Sequence, residues 1–178
     1  MSKTLAIDTS TSRTSVAIID GDTILFSGFL DGATAHGPSL PALVQEALAV
    51  GDVDEVVVGM GPGPFTGLRV GIAFAQSFAL ARDIPVRGVC SLDAIAAQIN
   101  EKDFIITVDA RRKEVYWARY TDGVRDGDPA VNFPADVSGA PIHADLFPDM
   151  QALVKLQGNI IEPIYLRRPD AVATADRP

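Results

Sequence analysis

Two short segments, Thr4-Leu5-Ala6-Ile7-Asp8 and Ile105-Ile106-Thr107-Val108-Asp109, run from β-type residues into an aspartate and lie 101 positions apart. A polar turn follows each, and an alternating strand follows each turn, Val16 to Ile19 in the first copy and Val115 to Tyr120 in the second. A repeated strand–turn–strand unit in the same element order predicts two related halves. The chain's 178 residues suit one domain or two small lobes.

The first half reads in detail. Leu5 to Ile7, Val16 to Ile19 and Thr23 to Leu30 are strands of an antiparallel meander, with Asp20-Gly21-Asp22 as a turn. Pro38 to Val50 carries Leu40, Leu43, Val44, Ala47 and Leu48 at the spacing of a helix that buries one face. Val56 to Val58 is a buried strand running into Gly59-Met60-Gly61-Pro62-Gly63-Pro64-Phe65-Thr66-Gly67, which opens a second helix to Arg82. Pro85 to Val89 is another strand, and Ser91 is expected to cap a third helix through Asn100. The order βββαβαβα predicts an α/β fold with a mixed five-stranded sheet crossed by helices. Residues 1–101 form this first lobe, and 102–168 a shortened second one with a loose stretch from Asp122 to Pro148. A helix from about Leu146 to Leu156 and the segment Pro163 to Arg167 complete it, and 169–178 is expected to be a disordered tail.

Composition excludes several functions. Fifteen Lys and Arg against 23 Asp and Glu leave a net charge of −8, which argues against strong direct nucleic-acid binding. Cys90 is the only cysteine, so neither an internal disulfide nor a cysteine zinc site is expected. His36 and His143 are too far apart in sequence to suggest a metal cluster, and no cofactor or metal is expected. Only three apolar residues precede Asp8, too few for a signal-peptide core. The longest apolar stretch, Val70 to Ala81, contains Gln76 and Ser77 and falls short of a membrane span. A cytoplasmic protein without membrane association is the expectation.

A strand ending in Asp before Ser and Thr is how sugar kinases, actin and Hsp70 proteins begin their phosphate loops, where backbone N–H groups and hydroxyls surround phosphates. Asp8, Thr9 and Ser10 therefore form a candidate vestigial phosphate loop, one without the glycine that lets backbone approach phosphate. Its alternative role is a turn in which these side chains satisfy local backbone donors. The glycine segment lacks a Gly-Lys-Ser/Thr ending and a dinucleotide fingerprint, and Pro62 and Pro64 remove two donors. It reads as a rigid turn that aims the following helix. His36 reads as a loop residue before a helix, and Cys90 as core packing.

The helix from Thr66 to Arg82 is the most unusual element. Arg69 and Gln76 share one narrow stripe, while apolar and small residues cover an arc of roughly 200°, twice what a helix lying on a sheet needs. Gly71, Ala75 and Ala79 make a ridge of small residues that suits close helix approach. The excess is covered either by the Pro38–Val50 helix of the same chain or by a partner. The expected partner interface comprises Leu40, Leu43 and Ala47 with Leu68, Arg69, Gly71, Ile72, Phe74, Ala75, Phe78 and Ala79.

These residues carry a family likeness. Ala6-Ile7-Asp8-Thr9-Ser10, His36 with Leu40-Pro41, and Gly61-Pro62-Gly63-Pro64-Phe65-Thr66-Gly67-Leu68-Arg69 occur in order. Asp109-Ala110-Arg111, Glu114-Val115-Tyr116 and Pro163-Ile164-Tyr165-Leu166-Arg167 follow. The chain thereby resembles the TsaB (YeaZ) family, the non-catalytic subunit of the bacterial machinery that makes threonylcarbamoyladenosine in tRNA. The resemblance implies a duplicated actin/sugar-kinase/Hsp70-like fold. It also implies pairing with a related catalytic subunit, TsaD, through helices of the first lobe, with a TsaE-type ATPase joining the pair. TsaD attaches the threonylcarbamoyl group to adenosine 37 of tRNA. A second copy of the chain is the expected partner when it is alone. The loss of length between Tyr120 and Pro163 leaves the pairing surface intact and touches only what the second lobe contacts.

The leading expectation is thus a scaffold that activates a homologous transferase, with no catalytic residues of its own. The alternative is a nucleotide-binding enzyme of the kinase-like class, a phosphotransferase or ATPase, using Asp8, Thr9 and Ser10 at one loop and Asp109 at the other.

Overall fold

The computed structural model describes residues 2–32 and 35–167. Strands β1 (Lys3–Asp8), β2 (Arg13–Asp20) and β3 (Thr23–Asp31) form the antiparallel meander. Helix α1 (His36–Ala47) follows, then β4 (Glu55–Gly59) parallel to β1, helix α2 (Phe65–Arg82), and β5 (Val86–Val89) parallel to β4. The strand order is β3-β2-β1-β4-β5, the mixed five-stranded sheet read from the sequence.

Period-2 alternation sorts its side chains to two faces. Leu5, Ile7, Val16, Ile18, Val56 and Val58 pack under α1 and α2 with Leu40, Leu43, Leu68, Ile72 and Ala75. Ala6, Ala17, Ile19 and Val57 face the other way, against Ala94 of helix α3 (Ser91–Ala96) and Met150 and Leu153 of helix α4 (Met150–Lys155).

The second sheet repeats the plan of the first. Strand β6 (Asp103–Asp109) pairs antiparallel with β7 (Val115–Thr121), as β1 does with β2. After β8 (Val124–Arg125) and β9 (Ala130–Asn132), which both pair with β7, β10 (Ile142–His143) runs parallel to β6 as β4 does to β1. The duplicated arrangement of two related sheets is present. The stretch expected to be loose holds three short strands.

Other details depart from the sequence reading. Ser91 does not cap α3, because its hydroxyl is taken by Asp8. The helix also stops at Ala96, where Gln98 N–H and Ile99 N–H donate three residues back instead of four. Helix α4 starts at Met150, not Leu146, since Asp149 Oδ1 accepts from Ala152 N at 2.7 Å and caps it there, just after Pro148. Residues 150–155, placed by sequence in the second lobe, pack on the first sheet. Farther on, Ile160 N–H donates to Gly88 O and Ile164 N–H to Met60 O, so this segment too is tied to the first sheet. The tail at 169–178 lies outside the described residues.

Candidate functional site

Strand β1 delivers Asp8 into the molecule, where it is 1% exposed. Its Oδ1 accepts from Ser10 N at 2.9 Å and Ser10 Oγ at 2.7 Å, and its Oδ2 accepts from Ser91 Oγ at 2.6 Å. Burial raises the Asp8 carboxyl above its ordinary range, and these three donors only partly oppose it. Both oxygens are thus engaged inside the chain.

The glycine segment fills the space over this turn. A Cβ at Gly59 would collide with Asp8 Oδ2, one at Gly63 with Ser10 O, and one at Gly67 would lie 2.8 Å from Thr9 O. Thr9 Oγ1 donates to Gly67 O at 2.7 Å, and Gly71 one turn on leaves room for the same hydroxyl. Thr9 and Ser10 are buried with Asp8. The three residues are together, as expected, yet their hydroxyls and carboxylate bind α2, α3 and each other. His36 opens α1 buried, with Nδ1 2.7 Å from Thr14 Oγ1, and its pKa is lowered, chiefly by desolvation.

Asp109, the second-lobe counterpart, is exposed, and its Oδ1 accepts from Arg111 N at 2.9 Å. The cleft between the two aspartate turns, lined by Thr11, Ser12, Pro64, Asp109, Leu146 and Phe147 among others, holds about 90 Å³. A small-molecule site ordinarily needs about 300 Å³ or more. Among the described residues no three His, Cys, Asp or Glu side chains group as metal ligands would.

The expected partner interface needs correction at most of its positions. Leu40, Leu43 and Ala47 are core residues under α1, and Leu68, Gly71, Ile72, Ala75 and Ala79 face inward from α2. The small-residue ridge receives Thr9 and the chain's own core, not a foreign helix. The wide apolar arc is therefore covered in large part by the sheet and α1, which lies beside α2. Phe74 and Phe78 are half-buried, their rings stacked at 6.0 Å, and Arg69 is exposed with its guanidinium 4.0 Å from the Phe65 ring.

What remains outward is a face the sequence reading missed. Ala73, Gln76, Ser77 and Leu80 on α2 are exposed, as are Pro38, Pro41, Ala42 and Gln45 on α1. Leu80 is 84% exposed. None of these eight is charged, although Glu46 on α1 and Arg69 and Arg82 on α2 are exposed too. The apolar arc of α2 is twice as wide as the sheet needs, so a wheel cannot say which part of it meets the sheet.

The model of the family described as TsaD, tRNA N6-adenosine threonylcarbamoyltransferase, matches residues 32–171. An uncharacterised Mycobacterium tuberculosis protein is 44% identical over 200 residues, which cover 96% of this chain and 94% of the relative. The Escherichia coli tRNA threonylcarbamoyladenosine biosynthesis protein TsaB is 36% identical over 65% of this chain and 54% of its own length. The chain spans about half the length of that relative. Two Pseudomonas aeruginosa crystal structures superpose well. One, described as similar to the peptidase YeaZ, covers 94% of this chain and 100% of its own at TM-score 0.80 and 28% identity. The other, YeaZ, covers 87% and 90% at TM-score 0.74, also at 28% identity.

Proposed function

Because the chain belongs to the family of the tRNA N6-adenosine threonylcarbamoyltransferase model, in its TsaB (YeaZ) group, we propose that it is a non-catalytic scaffold in threonylcarbamoylation of adenosine 37 of tRNA. It acts by pairing with the related TsaD-type transferase and holding it in an active arrangement. The name of the E. coli relative supports the pathway, and the filled Asp8 turn supports a role without chemistry of its own.

The observation that carries the pairing is the run of exposed uncharged residues on α1 and α2, to which Glu46, Arg69 and Arg82 are the charged exceptions. Charged side chains normally keep two helices of this length solvated, whereas a face of Pro, Ala, Gln, Ser and Leu loses little on desolvation. Half-buried Phe74 and Phe78 supply aromatic edges beside it. An ordinary stable interface removes about 800 Å² from each partner. The same face serves a second copy when the chain is alone, and a TsaE-type ATPase completes the assembly in this reading. Among the described residues no helix is long and apolar enough to cross a membrane, and none is required.

Co-purification of the full chain with the TsaD-type subunit of the same cell tests the pairing. Ala73→Glu should abolish it while leaving the circular dichroism and melting temperature of the lone chain intact. An unchanged complex in that variant and in Leu80→Glu refutes the surface. An isolated chain that binds ATP and Mg²⁺ and loses both on Asp8→Ala, in a variant shown to be folded, would instead favour the phosphotransferase alternative.

A further inference from the structure

Strand β3 is the free edge of the first sheet, paired only with β2. An exposed edge offers a row of unpaired N–H and C=O groups to any other strand, and proteins usually blunt it with Lys, Pro or a bulge. From Thr23 to Leu30 there is no charged residue and no Pro, and the register shift opposite Ile18 and Ile19 lies near the start. Between Phe26 and Asp31 the strand pairs residue for residue with Arg13 to Ile18, so that stretch is a regular template. Ile24, Leu25, Phe29 and Leu30 are exposed, four large apolar side chains on one strand, where every other element among the described residues has at most one.

Beneath β3, on the face away from α1, runs a groove of about 320 Å³. Ala17 of β2 with Ile24 and Phe29 of β3 floor it, and Asp145, Asp149 and Met150 wall it. No described strand lies beyond β3, so the groove is open along that edge. Its charges do not balance. The Arg13 guanidinium is held by Asp31, at 2.8 and 3.2 Å, and stacks on the Phe29 and Phe147 rings. Asp22, just before β3, pairs with Lys155. Asp145, which also borders the small cleft, and Asp149, whose Oδ1 caps α4, line the groove with no cation paired to either among the described residues.

We propose that β3 and this groove take an extended segment of another protein, which adds a strand to the free edge and lowers a Lys or Arg side chain into the groove. Successive side chains of an added strand alternate, so every second one falls on the groove face beside Ile24 and Phe29. A basic side chain suits that place better than an apolar one. Its methylene stem lies on Phe29 and Met150 while its cation meets Asp145 and Asp149. A second copy of this chain is the poorer occupant, because its own β3 has no Lys or Arg, ends in Asp31, and brings another net charge of −8. The groove lies on the opposite face of the first sheet from α1 and α2 and does not depend on the pairing proposed above.

Fluorescence anisotropy of a labelled eight-residue peptide, alternating valine and threonine around one central lysine, tests it against the full chain. Micromolar binding is expected, with β3 amides protected from hydrogen exchange about tenfold or more. Glutamate in place of the lysine should weaken the peptide about tenfold or more. Asp145→Asn, which keeps a residue tolerant of the φ of 58° there, should weaken the lysine peptide about threefold to tenfold and leave a leucine-for-lysine peptide unchanged. N-methylation of one alternate set of peptide amides should abolish binding, and of the other set should leave most of it, because an added strand uses one set only. Val124→Lys, at an exposed position of the second sheet, should leave binding unchanged. No binding at millimolar concentration, equal losses from the two methylated sets, or a glutamate peptide as tight as the lysine one would each overturn the proposal. Self-association of the chain that Ile24→Lys abolishes, with no peptide bound, would overturn it too and identify a second copy as the occupant.

Discussion

Gly71→Ala tests the direction in which α2 faces. At an exposed helical position this change stabilises by about 1 kcal/mol, because alanine loses less backbone entropy. Here the new methyl collides with Thr9 Oγ1 and stands 3.3 Å from Thr9 Cβ and Cγ2. Rotating Thr9 offers no escape, since its hydroxyl is held by Gly67 O at 2.7 Å in a buried site and its methyl is the alternative occupant of the space. Overpacking costs about 1–3 kcal/mol and the displaced buried hydrogen bond about 1–3 kcal/mol more. After the helical gain, a net loss of about 2–3 kcal/mol is expected, or a melting temperature lower by about 5–10 °C for a chain of this size. Thr9→Ala alone should cost about 1–2 kcal/mol through the unpaired Gly67 carbonyl. The double variant removes the collision, so it should be no less stable than Thr9→Ala, with a coupling of about 2 kcal/mol or more. Urea unfolding of the four proteins measures this. A Gly71→Ala protein as stable as the parent, or costs that simply add, would refute the inward packing of the ridge.

Three further outcomes follow from the same geometry. Burial raises Asp8, so the folded chain holds that proton at a higher pH than the unfolded chain does, and ionising it costs stability. The parent should therefore gain stability relative to Asp8→Asn as pH falls from neutral, flattening below the unfolded carboxylate value of about 4; a parent urea midpoint that falls relative to that of Asp8→Asn on acidification contradicts this. The Arg13 guanidinium sits 3.8 Å from the Phe29 ring centroid and 3.8 Å from that of Phe147, so Arg13→Ala should cost about 1–2 kcal/mol through lost stacking. Arg13→Lys should recover less than half of that in thermal unfolding. Burial pushes the Cys90 thiol up to about 12, so a disulfide reagent at pH 8 should label it only as fast as the chain unfolds.

The first sheet was legible because its signals are local. Ala6 and Ile7 alternate between faces, Asp20-Gly21-Asp22 forces a turn, and Val56 to Val58 reads as a buried run. The Asp8 and Asp109 echo carried the duplication, since a strand ending in a turn keeps its pattern when its surroundings change. Facing was not legible. Gly71, Ala75 and Ala79 suit a partner helix and a chain's own close-packed interior equally well, and only Thr9, far away in sequence, decides between them. Ser91 was similarly misassigned, because its hydroxyl met a carboxylate 83 positions earlier instead of its own helix.

Strand β1 leaves a ribosome well before Met150 and Leu153, which pack with Ala6 and Val57. Until then the apolar underside of the first sheet has only Ala94 of α3 to rest on. A nascent chain halted after the fifth strand should consequently bind chaperones and be cleaved readily by proteases, and emergence of α4 should close that vulnerable window at once.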